Sequence, residues 1–358
     1  MGFIPAFSEY NYSYNQLNSE LGANGLLGQN AIVTGANSGI GYWAALHLAR
    51  LGANVVLACR NENKCDAASR AMEEHIRQNS TKYGSIECMS LDTSSLGSVR
   101  KFASNIRERG HAVHILLLNA GIAGDPSDPN ATTVDGLPLT LGTNHIGHQL
   151  LYELLLPQIL DGASNGGQAR VVFTSSAAHY QADAVPLSKE ELFTGGQYRQ
   201  YGRSKLANIL CANEAARQLK EMETKDERAK RVYVNSMHPG LVDTNIFEPV
   251  KKNLMAEDSS WSKKFAGRLF SWLQNNHIFW TSEEGALTLL YLAASPDVPK
   301  FGIRGKYYHP QGIEATPNVQ MVGKEPTQLE IQRDFWRFTQ TLYEPFSKLL
   351  DLSKQIEM

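Results

Sequence analysis

Two residues with side chains suited to acid–base chemistry lie four positions apart in a predicted helix. They are Tyr201 and Lys205, and the residues between them are Gly202-Arg203-Ser204. Residues four apart share one face of an α-helix, so the phenol and the ammonium group are expected to lie side by side. Using a phenol, with a pKa of about 10, as a base near neutral pH requires that pKa to fall by about 3, or ~4 kcal/mol. An adjacent ammonium group could supply part of that decrease.

Other polar residues stand at the ends of predicted apolar strands. Ser175-Ser176 ends the fifth strand, Asn119-Ala120-Gly121 ends the fourth, and Pro239-Gly240 follows the sixth. Asn144 lies early in the helix after the fourth strand. The carboxyl ends of parallel strands form the edge where such sheets bind ligands, so these residues are expected to share one rim with Tyr201.

A glycine-rich turn follows the first strand. Its sequence is Thr34-Gly35-Ala36-Asn37-Ser38-Gly39-Ile40-Gly41. Gly35, Gly39 and Gly41 allow a sharp turn and bring the backbone close to a pyrophosphate at the N-terminus of the next helix. Because the turn joins the first strand to the first helix, it predicts a dinucleotide site.

The ends of the second and third strands suggest which dinucleotide binds. Arg60 stands at the tip of the second strand, where an acidic residue would bond a ribose 2′-hydroxyl. A guanidinium group would instead neutralise a 2′-phosphate, so NADP(H) is favoured over NAD(H). Asp92, after the third strand, could bond the adenine amino group or cap the helix that begins near Ser95.

Short apolar strands alternate with helices along most of the chain. Completely apolar strands such as residues 115–118 indicate a parallel sheet covered on both faces. The predicted fold is therefore α/β, a Rossmann-like doubly wound parallel sheet in a single domain. The predicted segments are an N-terminal extension 1–27, a domain 28–320 with a variable substrate lid 249–280, and a C-terminal helical extension 321–358.

Composition excludes several classes of protein. Lys and Arg total 34 against 36 Asp and Glu, giving a net charge of −2, which argues against nucleic acid as a partner. With 42% apolar and 20% charged residues, the chain is expected to be globular. No apolar run is long enough to span a membrane, no secretory signal is evident and no ligand spacing suggests a metal. The four cysteines form no CxxC pair, so free thiols and a cytoplasmic location are expected.

At this point the chain resembles the short-chain dehydrogenase/reductase family. The TGxxxGxG, NAG, N, S, YxxxK and PG motifs occur in order, over about residues 27–320. Within the family it is similar to the retinol dehydrogenase and WW-domain oxidoreductase group. The segments that carry this similarity are Ala58-Cys59-Arg60-Asn61, Asn144-His145-Ile146-Gly147-His148, Ser175-Ser176-Ala177-Ala178-His179, Tyr201-Gly202-Arg203-Ser204-Lys205-Leu206-Ala207-Asn208 and Thr281-Ser282-Glu283-Glu284-Gly285-Ala286. We expect neither an N-terminal membrane anchor nor a WW module.

The resemblance implies a role for each matching residue. Tyr201 would be the general acid/base, and Lys205 would lower its pKa and hold the nicotinamide ribose. Ser176, rather than Ser175, would bond the substrate oxygen, and Asn144 would position a water in a proton relay to Lys205. The implied dinucleotide contacts are Gly35, Ser38, Gly39, Ile40, Gly41, Arg60, Asn61, Asp92, Asn119, Tyr201, Lys205, Pro239, Gly240 and Thr244. His145, His148 and His179 are expected to be partly buried and noncatalytic, since Tyr201 already fills the acid/base role.

The expected activity is NADP(H)-dependent hydride transfer to or from an alcohol or carbonyl group of a medium-sized apolar substrate. Residues 241–280 would form the upper wall of its pocket. Two alternatives stay open: a noncatalytic dinucleotide sensor or scaffold, and a reductase of a conjugated double bond. An apolar stripe in residues 261–273 predicts a core helix, with a substrate lid or a membrane-surface contact as alternatives. Related enzymes often pair, so a homodimer is a further expectation.

Overall fold

A mostly parallel sheet forms the centre of the computed structural model, which describes residues 12–22, 25–79, 83–124, 127–128, 130–182, 184–242, 280–317 and 326–347. Within these residues the strands are β1 (Asn30–Thr34), β2 (Asn54–Cys59), β3 (Ile86–Ser90), β4 (Ile115–Leu118), β5 (Ala169–Thr174), β6 (Val232–Met237), β7 (Tyr307–His309) and β8 (Ile313–Ala315). Their order is β3-β2-β1-β4-β5-β6-β7-β8, and β8 alone of these runs antiparallel to its neighbour. The order reverses between β1 and β4, so the predicted doubly wound fold is confirmed.

The central strands owe their apolar composition to helices on both sides. Every residue of β4 and β5 is buried, including Arg170 at the start of β5. Leu116 pairs with Ile32 of β1 on one side and with Val171 of β5 on the other. A strand buried on both faces needs no polar alternation, which is why continuous apolar runs located these strands correctly in the sequence.

Helices cover the sheet in two layers. The described α-helices are α1 (Tyr14–Leu21), α2 (Gly39–Arg50), α3 (Glu62–Asn79), α4 (Leu96–Glu108), α5 (Leu139–Leu141), α6 (Gly147–Gly162), α7 (Gln197–Met222), α8 (Ser282–Ala294), α9 (Asp297–Lys300) and α10 (Pro326–Ser347). One apolar core lies beneath α2, α3 and α8, and a second lies beneath α4, α6, α7 and α10. Among the described helices, none has the length and apolar character needed to cross a bilayer.

Some elements differ from the sequence-based prediction. The helix predicted near residues 139–160 is interrupted by a π-helical turn, Gly142–Ile146, between α5 and α6. The segment 1–27 contains the unpredicted helix α1, which begins after the N-cap Ser13 and buries Leu17. Tyr14, Leu17 and Leu21 lie at helical spacing, but a helix of eight residues is too short for this pattern to stand out in the sequence. β7, β8 and α8 were also not predicted, whereas the terminal helix was.

The expectation that all four cysteines are free thiols is wrong. Cys65 on α3 and Cys88 on β3 form a disulfide, with their Cα atoms 5.9 Å apart. Cys59 and Cys211 are free and buried. The spacing of 23 residues between the bonded cysteines gave no signal, because their proximity arises only when α3 folds back onto the sheet.

Candidate active site

A cavity of about 1250 Å³ opens at the carboxyl ends of the parallel strands. Its walls come from the turns after β1, β2, β3, β4, β5 and β6 and from the N-terminal half of α7. Of the residues predicted to form the site, those that line this cavity are Gly35, Ser38, Gly39, Ile40, Arg60, Asn61, Asp92, Asn119, Ser175, Ser176, Tyr201, Lys205, Pro239 and Gly240. Thr244 and all of the predicted lid 249–280 except Trp280 lie outside the described residues.

The glycine turn brings backbone groups close together at one end of this cavity. Gly35 adopts a φ of 67°, which a side chain would strain. A Cβ atom on Gly41 would lie 2.5 Å from the carbonyl oxygen of Gly35 and 2.6 Å from Nδ2 of Asn119. Ser38 begins α2 without a side-chain cap, so the first N–H groups of that helix are available to an anion in the cavity.

Thr34, which the sequence argument passed over, joins the turn to the end of β4. Its hydroxyl oxygen accepts hydrogen bonds from the backbone N–H groups of Asn119 and Ala120, each 2.9 Å long. Asn119 Nδ2 donates in return to the carbonyl oxygen of Thr34 at 3.0 Å. The sequence indicates that the TGxxxGxG and NAG motifs each end a strand, but only the structure shows that those two strands are adjacent.

Two basic side chains, rather than one, line the cavity beside the tip of β2. Lys64 lines the cavity with Arg60 and was not singled out from the sequence. It stands in the first turn of α3, where the helix dipole normally favours acidic residues. Asn61 caps the same helix, because its Oδ1 accepts from the backbone N–H of Lys64 at 2.9 Å. A lysine at this unfavourable position, four residues after Arg60, was the signal in the sequence that could have marked Lys64 as a candidate ligand for an anion.

Asp92 lines the cavity, but it does not cap the helix after it. Its Oδ1 accepts from the backbone N–H of Ser94 at 2.9 Å and from the Ser94 hydroxyl at 2.6 Å. The N-cap of α4 is Ser95, whose hydroxyl accepts from the backbone N–H of Ser98. The capping alternative for Asp92 is therefore wrong, and its contact with an adenine stays a prediction.

Tyr201, Lys205 and Ser176 converge at the other end of the cavity. Tyr201 and Lys205 share one face of α7, and Lys205 Nζ lies 5.6 Å from the centroid of the Tyr201 ring. The Tyr201 hydroxyl is hydrogen-bonded to the side chain of Ser176. Ser175 points elsewhere, since its hydroxyl donates to the carbonyl oxygen of Lys205 at 2.7 Å and so ties β5 to α7.

Burial controls the ionisation of this tyrosine and this lysine. It raises the pKa of Tyr201 to about 12 by disfavouring the phenolate, although the hydrogen bond with Ser176 acts in the opposite direction. Burial also lowers the pKa of Lys205 to about 8, because the ammonium loses its hydration. The protein alone therefore raises the phenol pKa that the sequence argument expected to be lowered.

Asn144 lies in the π-helical turn and bonds to the protein through its side chain. Its Oδ1 accepts from the backbone N–H of Ile122 at 2.8 Å, and its Nδ2 donates to the carbonyl oxygen of Ile122 and to the Ser204 hydroxyl. A Cβ atom on Gly121 would lie 3.2 Å from Asn144 Oδ1 and 3.3 Å from Lys205 Nζ. Asn144 is thus near Lys205, and the relay water predicted there stays a prediction.

The three histidines near these motifs are completely buried, not partly buried as expected. His148 Nδ1 lies 3.0 Å from the carbonyl oxygen of Asn144, and its Nε2 lies 3.0 Å from the Thr34 hydroxyl. Burial lowers the pKa values of His145 and His179 to about 4 and that of His148 to about 3, so all three are neutral near pH 7.

Comparison with known proteins agrees with this geometry. The sequence profile of the family described as short chain dehydrogenase matches residues 29–254, which include the glycine turn, Tyr201 and Lys205. The chain belongs to the short chain dehydrogenase family. Polyprenol dehydrogenase of Mus musculus is 35% identical to this short chain dehydrogenase over 311 residues, 86% of this chain and 82% of the relative. Retinol dehydrogenase 14 of Homo sapiens is 34% identical over 292 residues, 78% of each chain.

Solved structures show the same fold. A putative uncharacterized protein from Mycobacterium paratuberculosis superposes on this short chain dehydrogenase with a TM-score of 0.62. It is 28% identical, and the alignment covers 91% of this chain and 97% of that one. L-Sorbose reductase from Gluconobacter frateurii superposes with a TM-score of 0.58 at 20% identity, over 81% of this chain and 97% of that one.

Proposed function

We propose that this protein is an NADP(H)-dependent oxidoreductase that interconverts an alcohol and a carbonyl group on a medium-sized apolar substrate. The observation that carries the proposal is the convergence of Tyr201, Ser176 and Lys205 on a cavity that also receives the glycine turn. The relatives named polyprenol dehydrogenase and retinol dehydrogenase 14 support an apolar alcohol as the substrate class.

The residues around the cavity fit a dinucleotide. The close approach of Gly41 to Gly35 and Asn119 leaves room for backbone but not for a side chain, as a pyrophosphate cradle requires. The uncapped first turn of α2 offers N–H donors, and Gly39 and Ile40 line the cavity there. When bound, the nicotinamide supplies the site that takes up or releases the hydride.

The side chains of this protein supply the proton and hold the reacting oxygen. Tyr201 would give its proton to the oxygen formed by carbonyl reduction, or take it from an alcohol during oxidation. Ser176 is hydrogen-bonded to Tyr201 and would bond the same oxygen. Because burial raises the pKa of Tyr201, the phenolate would need nearby positive charge, which Lys205 and an oxidised nicotinamide would provide together. Asn144 is proposed as the next group in the proton relay.

Arg60 and Lys64 support the choice of NADP(H). Both side chains are exposed at the cavity edge beside the tip of β2, where the 2′ position of the adenosine ribose would lie. Two cations there favour a phosphate over a hydroxyl. Asn61 would contact the same region through its backbone, since its side chain caps α3.

Turnover assays with NADPH or NADP⁺ and a panel of lipophilic carbonyls and alcohols test the proposal. Replacing Tyr201 with Phe should lower kcat by about 10²–10⁴-fold, because the proton donor is lost. The dissociation constant for NADPH, measured by fluorescence, should stay within about twofold, since the ring and its packing are kept. Unchanged turnover in Tyr201→Phe would exclude the acid–base role. Binding of NADPH without turnover of any carbonyl would favour the noncatalytic sensor.

A further inference from the structure

Lys205 and Asn208, one helical turn apart on α7, share a hydrogen-bond acceptor. The carbonyl oxygen of Thr174, at the end of β5, accepts from Lys205 Nζ at 3.2 Å and from Asn208 Nδ2 at 2.9 Å. Lys205 is 2% exposed and Asn208 is completely buried. The amide of Asn208 and the ammonium group therefore take the two lone pairs of one carbonyl oxygen.

The same amide also bonds to the π-helical turn. Asn208 Nδ2 donates to the carbonyl oxygen of Asn144 at 3.1 Å, so its two N–H groups serve two carbonyl oxygens on different elements. The opposite amide orientation would place Oδ1 against both carbonyl oxygens, which is repulsive. The orientation of Asn208 is therefore determined by Thr174 and Asn144.

His145 fixes the other end of the amide. Its Nδ1 lies 3.1 Å from Asn208 Oδ1, which can only accept, so Nδ1 carries a proton. Burial lowers the pKa of this ring to about 4, so the imidazole is neutral near pH 7. The ring of His145 is completely buried and stacks on Phe335 of α10 at a centroid distance of 5.1 Å. The terminal helix thus supports His145, which in turn supports Asn208.

We propose that Asn208, oriented by His145, is a positioning residue for Lys205. By occupying one lone pair of the Thr174 carbonyl oxygen and bonding to that of Asn144, it limits the backbone contact of the ammonium group to the single bond with Thr174, so that the ammonium group also faces Tyr201. The titratable groups of the described residues that interact with Lys205 are Tyr201 on α7 and His148 on α6. His148 is neutral near pH 7, so Tyr201 is the neighbour whose ionisation a displacement of Lys205 is expected to change. This inference rests on the proposed function.

Titration of Tyr201 in the NADP⁺ complex tests the inference without a substrate. The ultraviolet absorbance of tyrosinate is measured as a function of pH. Subtracting the titration curve of the Tyr201→Phe protein isolates the contribution of Tyr201. In Asn208→Ala the ammonium group should move toward the unsatisfied carbonyl oxygens, so the phenolate is stabilised less. The midpoint should rise by about 0.5–1 pH unit, the equivalent of one hydrogen bond.

Three further variants make the test specific. His145→Phe keeps the ring stacking but removes the donor to Asn208, so a smaller upward change in the midpoint is expected. In His145→Gln the side chain can still donate to Asn208, so the midpoint should lie closer to that of the unmodified protein than in His145→Phe. Asn213→Ala, the same substitution elsewhere on α7, should leave the midpoint unchanged. If Asn208→Ala does not fold, the difference in midpoint between His145→Phe and His145→Gln tests the positioning role.

The outcomes separate this inference from the proposed function. A midpoint that stays the same in Asn208→Ala and in His145→Phe overturns the positioning role alone. A midpoint that also changes in Asn213→Ala would reveal a general loss of packing and would overturn it as well. If no titration step disappears in Tyr201→Phe, Tyr201 does not ionise in the complex and the proposed function fails instead.

Discussion

Individual side chains in this site have two kinds of environment. Tyr201 and Lys205 are buried, and burial disfavours the charged form of each. Arg60 and Lys64 are exposed at the far end of the same cavity, where a charged ligand would remain partly hydrated. The proposed catalytic pair therefore depends on charges brought by a ligand, whereas the basic pair at the rim can attract that ligand from solution.

The basic pair leads to a prediction about cofactor choice. Replacing Arg60 or Lys64 with Ala removes one charge-assisted contact to a 2′-phosphate, so the dissociation constant for NADPH should rise about 10–100-fold. The dissociation constant for NADH should change by less than about twofold, because NADH lacks that phosphate. Fluorescence titration of both cofactors measures the difference.

Arg70 provides the control for this prediction. It is exposed on α3, as Lys64 is, but it does not line the cavity. Arg70→Ala should therefore leave both dissociation constants unchanged. Equal weakening of NADH and NADPH binding by Arg60→Ala would show that Arg60 does not contact a 2′-phosphate.

At the scale of elements, the part of the cavity wall that carries Arg60 and Lys64 is held by a covalent link. Cys65 and Cys88 join α3 to the edge strand β3, and Cys65 directly follows Lys64 in the first turns of α3. Disulfides are rare in reducing compartments, so this link is at odds with the cytoplasmic location expected from the sequence. The cytoplasmic location stays a prediction, and it can be tested by determining whether Cys65 and Cys88 are oxidised or reduced in the isolated protein.

The link should be detectable in both thiol chemistry and stability. After denaturation without reductant, alkylation should label Cys59 and Cys211, and mass spectrometry should find Cys65 and Cys88 labelled only after reduction. The free energy of unfolding of the double variant Cys65→Ser with Cys88→Ser should be about 3 kcal/mol lower than that of the oxidised protein, as expected for a loop of this length. In the presence of a reductant, the two proteins should have nearly equal free energies of unfolding. Four labelled cysteines without reduction would contradict the disulfide.

At the scale of the whole molecule, the sheet carries a separate core on each face, and neutral histidines are buried between the layers. His145, His148 and His179 lie near the site, and His238 lies beyond β6. Burial lowers the pKa of His238 to about 3 as well. The unfolded chain would bind protons at these residues near pH 6.5, whereas the folded protein would not.

This difference predicts a loss of stability in acid. Because each folded pKa is lower than its unfolded value, the free energy of unfolding should fall as pH drops from 6.5 toward 3–4. The loss should be roughly 1.4 kcal/mol per histidine for each pH unit below 6.5. Urea unfolding at several pH values measures this slope. His145→Gln should reduce the slope, whereas His111→Gln, at an exposed position, should not. Equal slopes in both variants would contradict the prediction.

The sequence alone determined the first six strands of the sheet, the glycine turn and the four-residue spacing of Tyr201 and Lys205. These features are local, because a buried strand, a tight turn and a helical face each depend on a few consecutive residues. The same reasoning gave the family resemblance, and with it the candidate roles of Ser176 and Asn144.

Only the tertiary structure decided which groups meet and how they ionise. The bonds of Thr34 to Asn119, of Asn208 to Thr174, and of Cys65 to Cys88 join residues brought together by crossovers between strands. The raised pKa of Tyr201 likewise follows from burial beneath neighbouring elements, which no spacing along the chain records. Sequence periodicity indicates which face of an element is apolar, but the contacts and desolvation that set the chemistry exist only after those elements pack together.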